Sequence, residues 1–371
     1  MKRLWNLYEK VYSLDNLRLA HKFAKKDKSL YKDVKMVDSN PDFYLLQIQT
    51  ILKEKRYTIS KNDYSIQVVR DKTKERELRK LKYYPHRIIQ WALMLQLENM
   101  FNTHLCYHVC ASLVWRWWKR VKELMNKYLK DKGWTCYCLK IDIKKYYSNI
   151  NHKILKQLLR KKIKDPNILW LLDMTIDSFP WKKWLPIGSY LSQYLANFYL
   201  SCFDHWMKEE LYLKYVIRYM DDIVVFWPKP STLRVIYRRM KKYLSWKLNL
   251  QIKSNRQIFP TRIRWVDYIW YRYFWDYTLL RKTTVKTLKR RFSQIQKQTR
   301  PLTYTQRCSI NSYAWWLIHC NSWRLYEKYI EPILPKLYKY YYYEIANQNK
   351  KKLDKYIKKI TSKKWQASCS K

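Results

Sequence analysis

Two adjacent carboxylates inside a strand-like run limit what this chain can become more than any other feature. Asp221 and Asp222 sit between Arg218-Tyr219-Met220 and Ile223-Val224-Val225-Phe226. β-branched and aromatic residues on both sides of a short break predict a tight hairpin from Ile217 to Phe226. Paired carboxylates in such an apolar setting are costly unless a cation neutralises them. Successive strand side chains point to opposite faces, so usually only the first of such a pair is a full metal ligand. A further carboxylate, Asp142, ends the run Cys136-Tyr-Cys-Leu-Lys-Ile-Asp142, which has buried-strand character and leads into Lys144-Lys145. Three aspartates on two neighbouring strands suit a pair of Mg²⁺ ions roughly 3.5–4 Å apart. Taken alone, Asp221-Asp222 has a plainer reading as a pair of solvated turn aspartates.

Charge narrows the partners. Lys and Arg number 77 against 29 Asp and Glu, a formal net charge of +48. A field of that strength argues against acidic-surface partners and for a polyanion, most simply a nucleic acid. Hydrophobic residues make up 47% of the chain, far too much for a disordered basic tail, so the charge is carried outside a folded body. With 371 residues there is room for two or more packed subdomains. Eight scattered cysteines are too few for a disulfide scaffold. The opening Met-Lys-Arg-Leu-Trp-Asn lacks an apolar signal region, and no apolar run reaches the ~18 residues of a membrane span. An intracellular, soluble protein is expected, cytoplasmic and with no membrane partner. His104, Cys106, His108 and Cys110 form the densest metal-like cluster, but they lack the two separated halves of a zinc finger and read better as core residues.

Along the chain, residues 1–55 mix charged and apolar residues at helical spacing and read as an N-terminal extension. Tyr57 to Val69 predicts a strand or hairpin, Ile88 to Phe101 an apolar helix and Ile154 to Ile163 another helix. After about Phe274 acidic residues become sparse, and basic helical segments are expected at Val285–Arg300 and Leu337–Lys364. Alternating strands and helices with a basic helical tail fit an α+β fold.

Several blocks together carry a resemblance. Tyr219-Met220-Asp221-Asp222 resembles the motif of reverse transcriptases, and Asp142-Ile-Lys-Lys-Tyr-Tyr-Ser-Asn-Ile-Asn-His152 their first catalytic block. Leu185-Pro-Ile-Gly-Ser-Tyr-Leu-Ser-Gln-Tyr-Leu-Ala-Asn197 resembles the block between these two. Further agreement lies in Pro85-His-Arg-Ile-Ile-Gln-Trp-Ala-Leu93, in Lys253-Ser-Asn-Arg-Gln-Ile-Phe-Pro260 and around Val266-Asp-Tyr. Most relatives have Gln-Gly followed by Ser-Pro in the middle block. Ile187-Gly188 followed by Ser192-Gln193 is instead similar to the enzymes of diversity-generating retroelements.

The resemblance implies a right-hand polymerase: an extension at 1–55, fingers at 56–134, the first catalytic palm strand at 135–151, fingers and palm helices at 152–184, the palm at 185–272, and a basic helical thumb and tail at 273–371. It implies an RNA-directed DNA polymerase that copies template RNA into cDNA from a DNA primer and dNTPs. Copying would be error-prone at template adenines and would diversify a target gene with the help of a small basic accessory protein. Asp142, Asp221 and Asp222, together with Ile143, would hold two Mg²⁺ ions, with Mn²⁺ as a substitute. One ion would activate the primer 3′-hydroxyl and the other would hold the triphosphate. Tyr147 would lie beneath the incoming sugar and exclude a ribose 2′-hydroxyl, although as plain sequence it is a core aromatic. Ile187, Gly188 and Gln193 would pack against the nascent base pair, Gly188 at a close backbone approach. Lys253 is a candidate proton donor to pyrophosphate or one more solvated lysine. Arg79 or Arg87 would contact the triphosphate or else be surface charge. No ribonuclease H or endonuclease block is expected after the thumb. The alternatives are a group II intron or retron enzyme, or a catalytically idle polymerase fold that serves as an RNA-binding scaffold.

One compositional anomaly remains. The chain has 2 Gly and 19 Trp, where ordinary usage would give about 26 Gly. Trp115, Trp117, Trp184, Trp265 and Trp270 stand where the resembling family has turn glycines, with Trp181 and Trp315 as further cases. An indole is among the worst substitutes at a turn that needs positive φ. The pattern predicts UGA codons that the source organism reads as Gly; base stacking by Trp near the template is the alternative for one or two positions.

Overall fold

The computed structural model describes residues 3–71, 74–111, 118–178, 182–186 and 189–337, and the chain divides into two units. The first comprises residues 1–128 and 133–259. It opens with four helices, α1 (Tyr8–Tyr12), α2 (Leu14–Ala24), α3 (Lys32–Ser39) and α4 (Pro41–Lys53). A strand pair follows, β1 (Tyr64–Asp71) and β2 (Lys74–Leu81), and then α5 (Ile88–His104) and α6 (Trp118–Leu129). Next come β3 (Tyr137–Asp142), α7 (Tyr146–Asn149), α8 (His152–Arg160), α9 (Pro166–Asp177), α10 (Tyr190–Tyr199) and α11 (Ser201–Glu209). The unit ends with β4 (Val216–Tyr219), β5 (Asp222–Trp227), α12 (Pro230–Leu248) and β6 (Gln257–Pro260), whose last residue belongs to the second unit.

Helix α5 forms the axis of this core. Ile88, Ile89, Ala92, Leu93, Met94, Leu97 and Phe101 are all buried, so its first two turns are covered nearly all round, while Asn99 and Thr103 near its end reach solvent. The N-terminal helices expected as an extension are built into the same core. Asn16 donates its amide to Val11 O (2.9 Å) and Ala92 O (3.0 Å), tying α2 to α5. Asp165 caps α9 and also accepts from the Leu7 and Tyr8 amides at 2.9 and 3.2 Å.

Two differences from the sequence reading have local causes. The strand expected from Tyr57 begins only at Tyr64, because Asp63 accepts from both the Ser60 amide and its hydroxyl at 2.8 Å and closes a turn there. Helix α8 starts at His152 rather than Ile154, since Asn151 accepts from the Ile154 amide as its N-cap. The segment expected to be helical at Leu337–Lys364 lies outside the described residues apart from Leu337.

Four strands in the order β4-β5-β3-β6, antiparallel from β4 through β5 to β3, form the sheet that carries the aspartates. Cys138, Leu139 and Ile141 on β3 and Ile223 to Phe226 on β5 are buried on both faces. Such a continuous apolar run requires cover on each side of the sheet, and α12 packs across β3 and β5.

The second unit comprises residues 129–132 and 260–371. It holds a three-stranded sheet of β7 (Val266–Tyr268), β8 (Tyr271–Tyr273) and β9 (Thr278–Leu280), followed by α13 (Lys282–Lys297), α14 (Tyr304–Ile318) and α15 (Trp323–Tyr329). Helix α13 buries Leu288, Phe292 and Ile295 while Lys282, Lys286, Lys289 and Arg290 face solvent. Thr303 and Gln306 close a capping box at the start of α14. Among the described residues no helix is long and apolar enough to cross a membrane.

Candidate active site

The β3–β5 register brings the three aspartates together. Asp142 pairs directly with Asp222, and Tyr219 with Asp222, leaving Met220 and Asp221 as the two residues of the turn. The Ile143 amide donates to Asp221 O at 3.2 Å, stitching the turn to the end of β3. Burial, then the neighbouring Asp142 and Asp222 charges, push the Asp221 carboxyl up to about 6 despite a modest opposing effect of Lys253. Like charges held this close raise the cost of ionisation and mark a place where a cation is wanted.

Lys253 answers part of that charge. Its amide donates to Asp142 O at 2.8 Å, and its ammonium lies 2.5 Å from Asp142 Oδ1. That oxygen is buried, and the partner it has is this ammonium. As the side chains stand, no three carboxylate, thiol or imidazole groups among the described residues converge on one ion. The donor set still fits a hard divalent cation in its chemistry. It offers clustered carboxylate oxygens, one of them ion-paired with the Lys253 ammonium, and an Asp221 carboxyl pushed up by burial and by its carboxylate neighbours. Ile143, also expected here, is wholly buried and contributes only backbone to this corner.

Tyr147 follows on α7, just after Lys145, which takes the left-handed conformation at φ 46°. Its hydroxyl lies 3.8 Å from Met220 Sδ and its backbone carbonyl accepts from the Leu185 amide at 2.9 Å. Burial and the nearby Asp221 raise its phenol well above the ordinary value, so it stays neutral beside the aspartates. Its neighbour Tyr146 is buried and bonds to the Ala196 carbonyl.

The other expected residues are placed differently. Gln193 is half-buried on α10, while Ile187 and Gly188 lie outside the described residues. Arg79, on β2, pairs with Glu77 at 2.5 Å and lies over the Trp184 ring at 4.9 Å. The Arg87 guanidinium donates to Ala24 O at 3.2 Å, and burial lowers its pKa. Among the zinc-like residues, His108 is wholly buried with Nε2 3.4 Å from Asp204 Oδ1, and burial lowers its pKa. His104 stacks on His205.

Trp184 is the one described Trp in the left-handed region, at φ 103°. Its amide donates to Ile150 O (3.0 Å) and its carbonyl accepts from His152 Nε2 (2.8 Å), so the backbone is held on both sides. Trp265 and Trp270 do not follow the expectation. Between them the positive φ falls on Ile269, at 56°, and their rings pack against Phe274 and Trp316. Trp115, Trp117 and Trp181 lie outside the described residues.

A buried polar cluster under the hairpin escaped the sequence reading. Arg218, Asp204 and Asn197 are wholly buried, and the Arg218 guanidinium bonds to both other side chains and to the Met220 carbonyl. An arginine in an otherwise apolar strand, one residue ahead of Tyr-Met-Asp-Asp, was the available signal.

Comparison with known proteins agrees with this geometry. Residues 60–268, more than half of the chain, match the family described as reverse transcriptase (RNA-dependent DNA polymerase). No curated protein matches in sequence. Among solved structures the chain is similar to apo telomerase from Candida tropicalis, with 13% identity over 86% of this chain and 66% of that one, and a TM-score of 0.48. It is also similar to telomerase from Candida albicans in complex with a TWJ fragment of telomeric RNA, with 11% identity over 75% and 58% of the two chains and a TM-score of 0.47. The chain thus spans less than two thirds of the length of these neighbours, narrowly so for the first. The antiparallel sheet bearing the aspartates, with helices packed around it, is the α+β palm of the right-hand polymerase fold. From Tyr-Met-Asp-Asp in its hairpin to the matched family region, the chain belongs to the reverse transcriptases.

Proposed function

We propose that this protein is an RNA-directed DNA polymerase that extends a DNA primer on a template RNA. The carrying observation is the register of Asp142 against Asp222 with Asp221 in the adjoining turn. Asp142, Asp221 and Asp222, with Ile143 beside them, would hold Mg²⁺, or Mn²⁺ in its place, which when bound supplies Lewis-acid activation and neutralises phosphate charge. Tyr147, fixed by Met220 and by the Leu185 amide, presents a rigid ring that excludes the ribose 2′-hydroxyl of a ribonucleotide. Lys253, ion-paired with Asp142, is the candidate proton donor to a leaving pyrophosphate in this reading. Arg79 or Arg87 would contact the triphosphate in this reading, Arg79 after release from Glu77. The exposed lysines and arginines of α13, in the thumb proposed for residues 273–371, grip duplex phosphates.

The finer reading is error-prone copying for gene diversification, assisted by a small basic accessory protein. Its support is the Ile187-Gly188 and Ser192-Gln193 pattern of the sequence. An aliphatic Ile187 offers no hydrogen bond to the nascent pair, so mispairs are rejected by shape alone. Primer extension on RNA followed by cDNA sequencing tests both levels. Ile187→Gln is expected to lower misincorporation opposite template adenine several-fold more than opposite other bases. A uniform change across all four template bases would contradict the diversifying role and leave the polymerase reading standing.

A further inference from the structure

Arg218 lies three residues before Asp221 and is wholly buried, a rare place for a guanidinium. Its Nε and Nη2 donate to Asp204 Oδ1 and Oδ2 on α11 at 2.7 and 2.5 Å, a bidentate pair closed off from solvent. Nη1 donates to Asn197 Oδ1 at 3.1 Å and to the Met220 carbonyl at 3.0 Å. The backbone of Arg218 is fastened too. Its amide donates to His108 O at 3.0 Å and its carbonyl accepts from the Cys110 amide at 2.9 Å. Burial alone would raise the Asp204 carboxyl, but Arg218 and His108 outweigh it and hold the group ionised.

The Met220 carbonyl is the informative acceptor. Met220 takes φ 54°, a left-handed conformation that a non-glycine residue keeps only when its surroundings enforce it. It is the first of the two turn residues and Asp221 is the second, so a donor gripping its carbonyl sets the direction in which Asp221 leaves the turn. Its sulfur meanwhile faces the Tyr147 hydroxyl. A buried ion pair is a poor route to stability, since apolar residues of similar volume often do as well or better. A planar fork alone can direct donors at once to a carboxylate, a side-chain amide and a backbone carbonyl.

We propose that Arg218 is a positioning residue that, braced by Asp204 and Asn197, locks the Met220 turn so that Asp221 and Asp142 together bind a divalent cation. The inference rests on the polymerase reading above. Replacing Arg218→Met together with Asp204→Leu removes both charges, keeps the volume and drops the donor to Met220. Mn²⁺ binding, followed by loss of the free-ion paramagnetic signal, is expected to weaken about tenfold or more while the melting temperature stays within a few degrees of wild type. The Mg²⁺ needed for half-maximal extension should rise in step, with RNA affinity unchanged. Wild-type Mn²⁺ affinity in the folded double variant would overturn the proposal. Should that variant not fold, Arg218→Lys keeps the charge against Asp204 but loses the fork. It is expected to show the same weakening, and wild-type affinity there would equally overturn the proposal. Asp221→Asn separates the two levels: if it extends primers like wild type, the polymerase reading has failed and not only the clamp.

Discussion

Trp184 shows how much a single backbone angle can reveal. A φ of 103° is open to glycine and strained for an indole-bearing residue, at a cost on the order of 1–3 kcal/mol. The half-buried ring also draws in Arg79, a residue the function would free for the triphosphate. Trp184→Gly removes aromatic packing and gains chain entropy in the unfolded state, which would ordinarily cost about 3 kcal/mol or more. Relief of strain should offset most of that, so the melting temperature is expected to hold within a few degrees or rise. A fall as large as that of a normal buried aromatic would contradict a glycine-type position, and UGG at this codon would contradict the recoding idea. Tyr147 is tested by its specificity. Tyr147→Val or Tyr147→Ala should raise ribonucleotide relative to deoxyribonucleotide incorporation by about tenfold or more, because a steric block is lost and no new contact is needed. An unchanged ratio in primer extension would return Tyr147 to the role of a core aromatic.

The β4–β5 hairpin concentrates cost as well as function. Asp221 is pushed up to about 6 by burial and by two carboxylate neighbours, against an ordinary value near 4. The folded state therefore holds this proton more tightly than the unfolded state does, and ionisation destabilises the metal-free protein. Asp221→Asn should raise the melting temperature in EDTA by a few degrees above pH 6. The gain should shrink as pH falls from 6 towards 4, where wild-type Asp221 becomes protonated in both states. Thermal melts across that pH range check the sign, and a destabilised variant at pH 7 would contradict it.

At this scale the sequence was legible where pattern and chemistry coincide. The β3 run and the hairpin around Asp221 were readable as apolar runs interrupted by carboxylates, whereas the register that sets Asp142 opposite Asp222 came only with the fold. Strand β2, Lys-Glu-Arg-Glu-Leu-Arg-Lys-Leu, is too charged to declare itself except as a partner to β1. The Asp63 turn and the Asn151 cap set boundaries through side-chain to backbone bonds that periodicity does not register. The Arg218–Asp204–Asn197 cluster joins three separate elements, so only folding brings its parts together.

Across the whole molecule, a charge of +48 stands beside a half-buried cluster of three aspartates. In the proposed function, nucleic-acid binding would draw on many exposed cations and fall with salt, whereas the chemistry would depend on three carboxylates. The N-terminal helices, which look separable in sequence, are tied to α5 through Asn16 and to the start of α9 through Asp165, so their removal should cost the fold and not merely an appendage. The two functions can be measured apart. Asp142→Asn and Asp221→Asn each delete one carboxylate charge proposed to bind metal while leaving nearly all of the basic surface in place. Extension of a DNA primer on RNA with dNTPs and Mg²⁺, measured beside RNA affinity at one fixed salt, tests the assignment most directly. Each variant is expected to lose about a thousandfold in extension rate with RNA affinity close to wild type. Wild-type extension by Asp221→Asn would show that these aspartates do not carry the reaction.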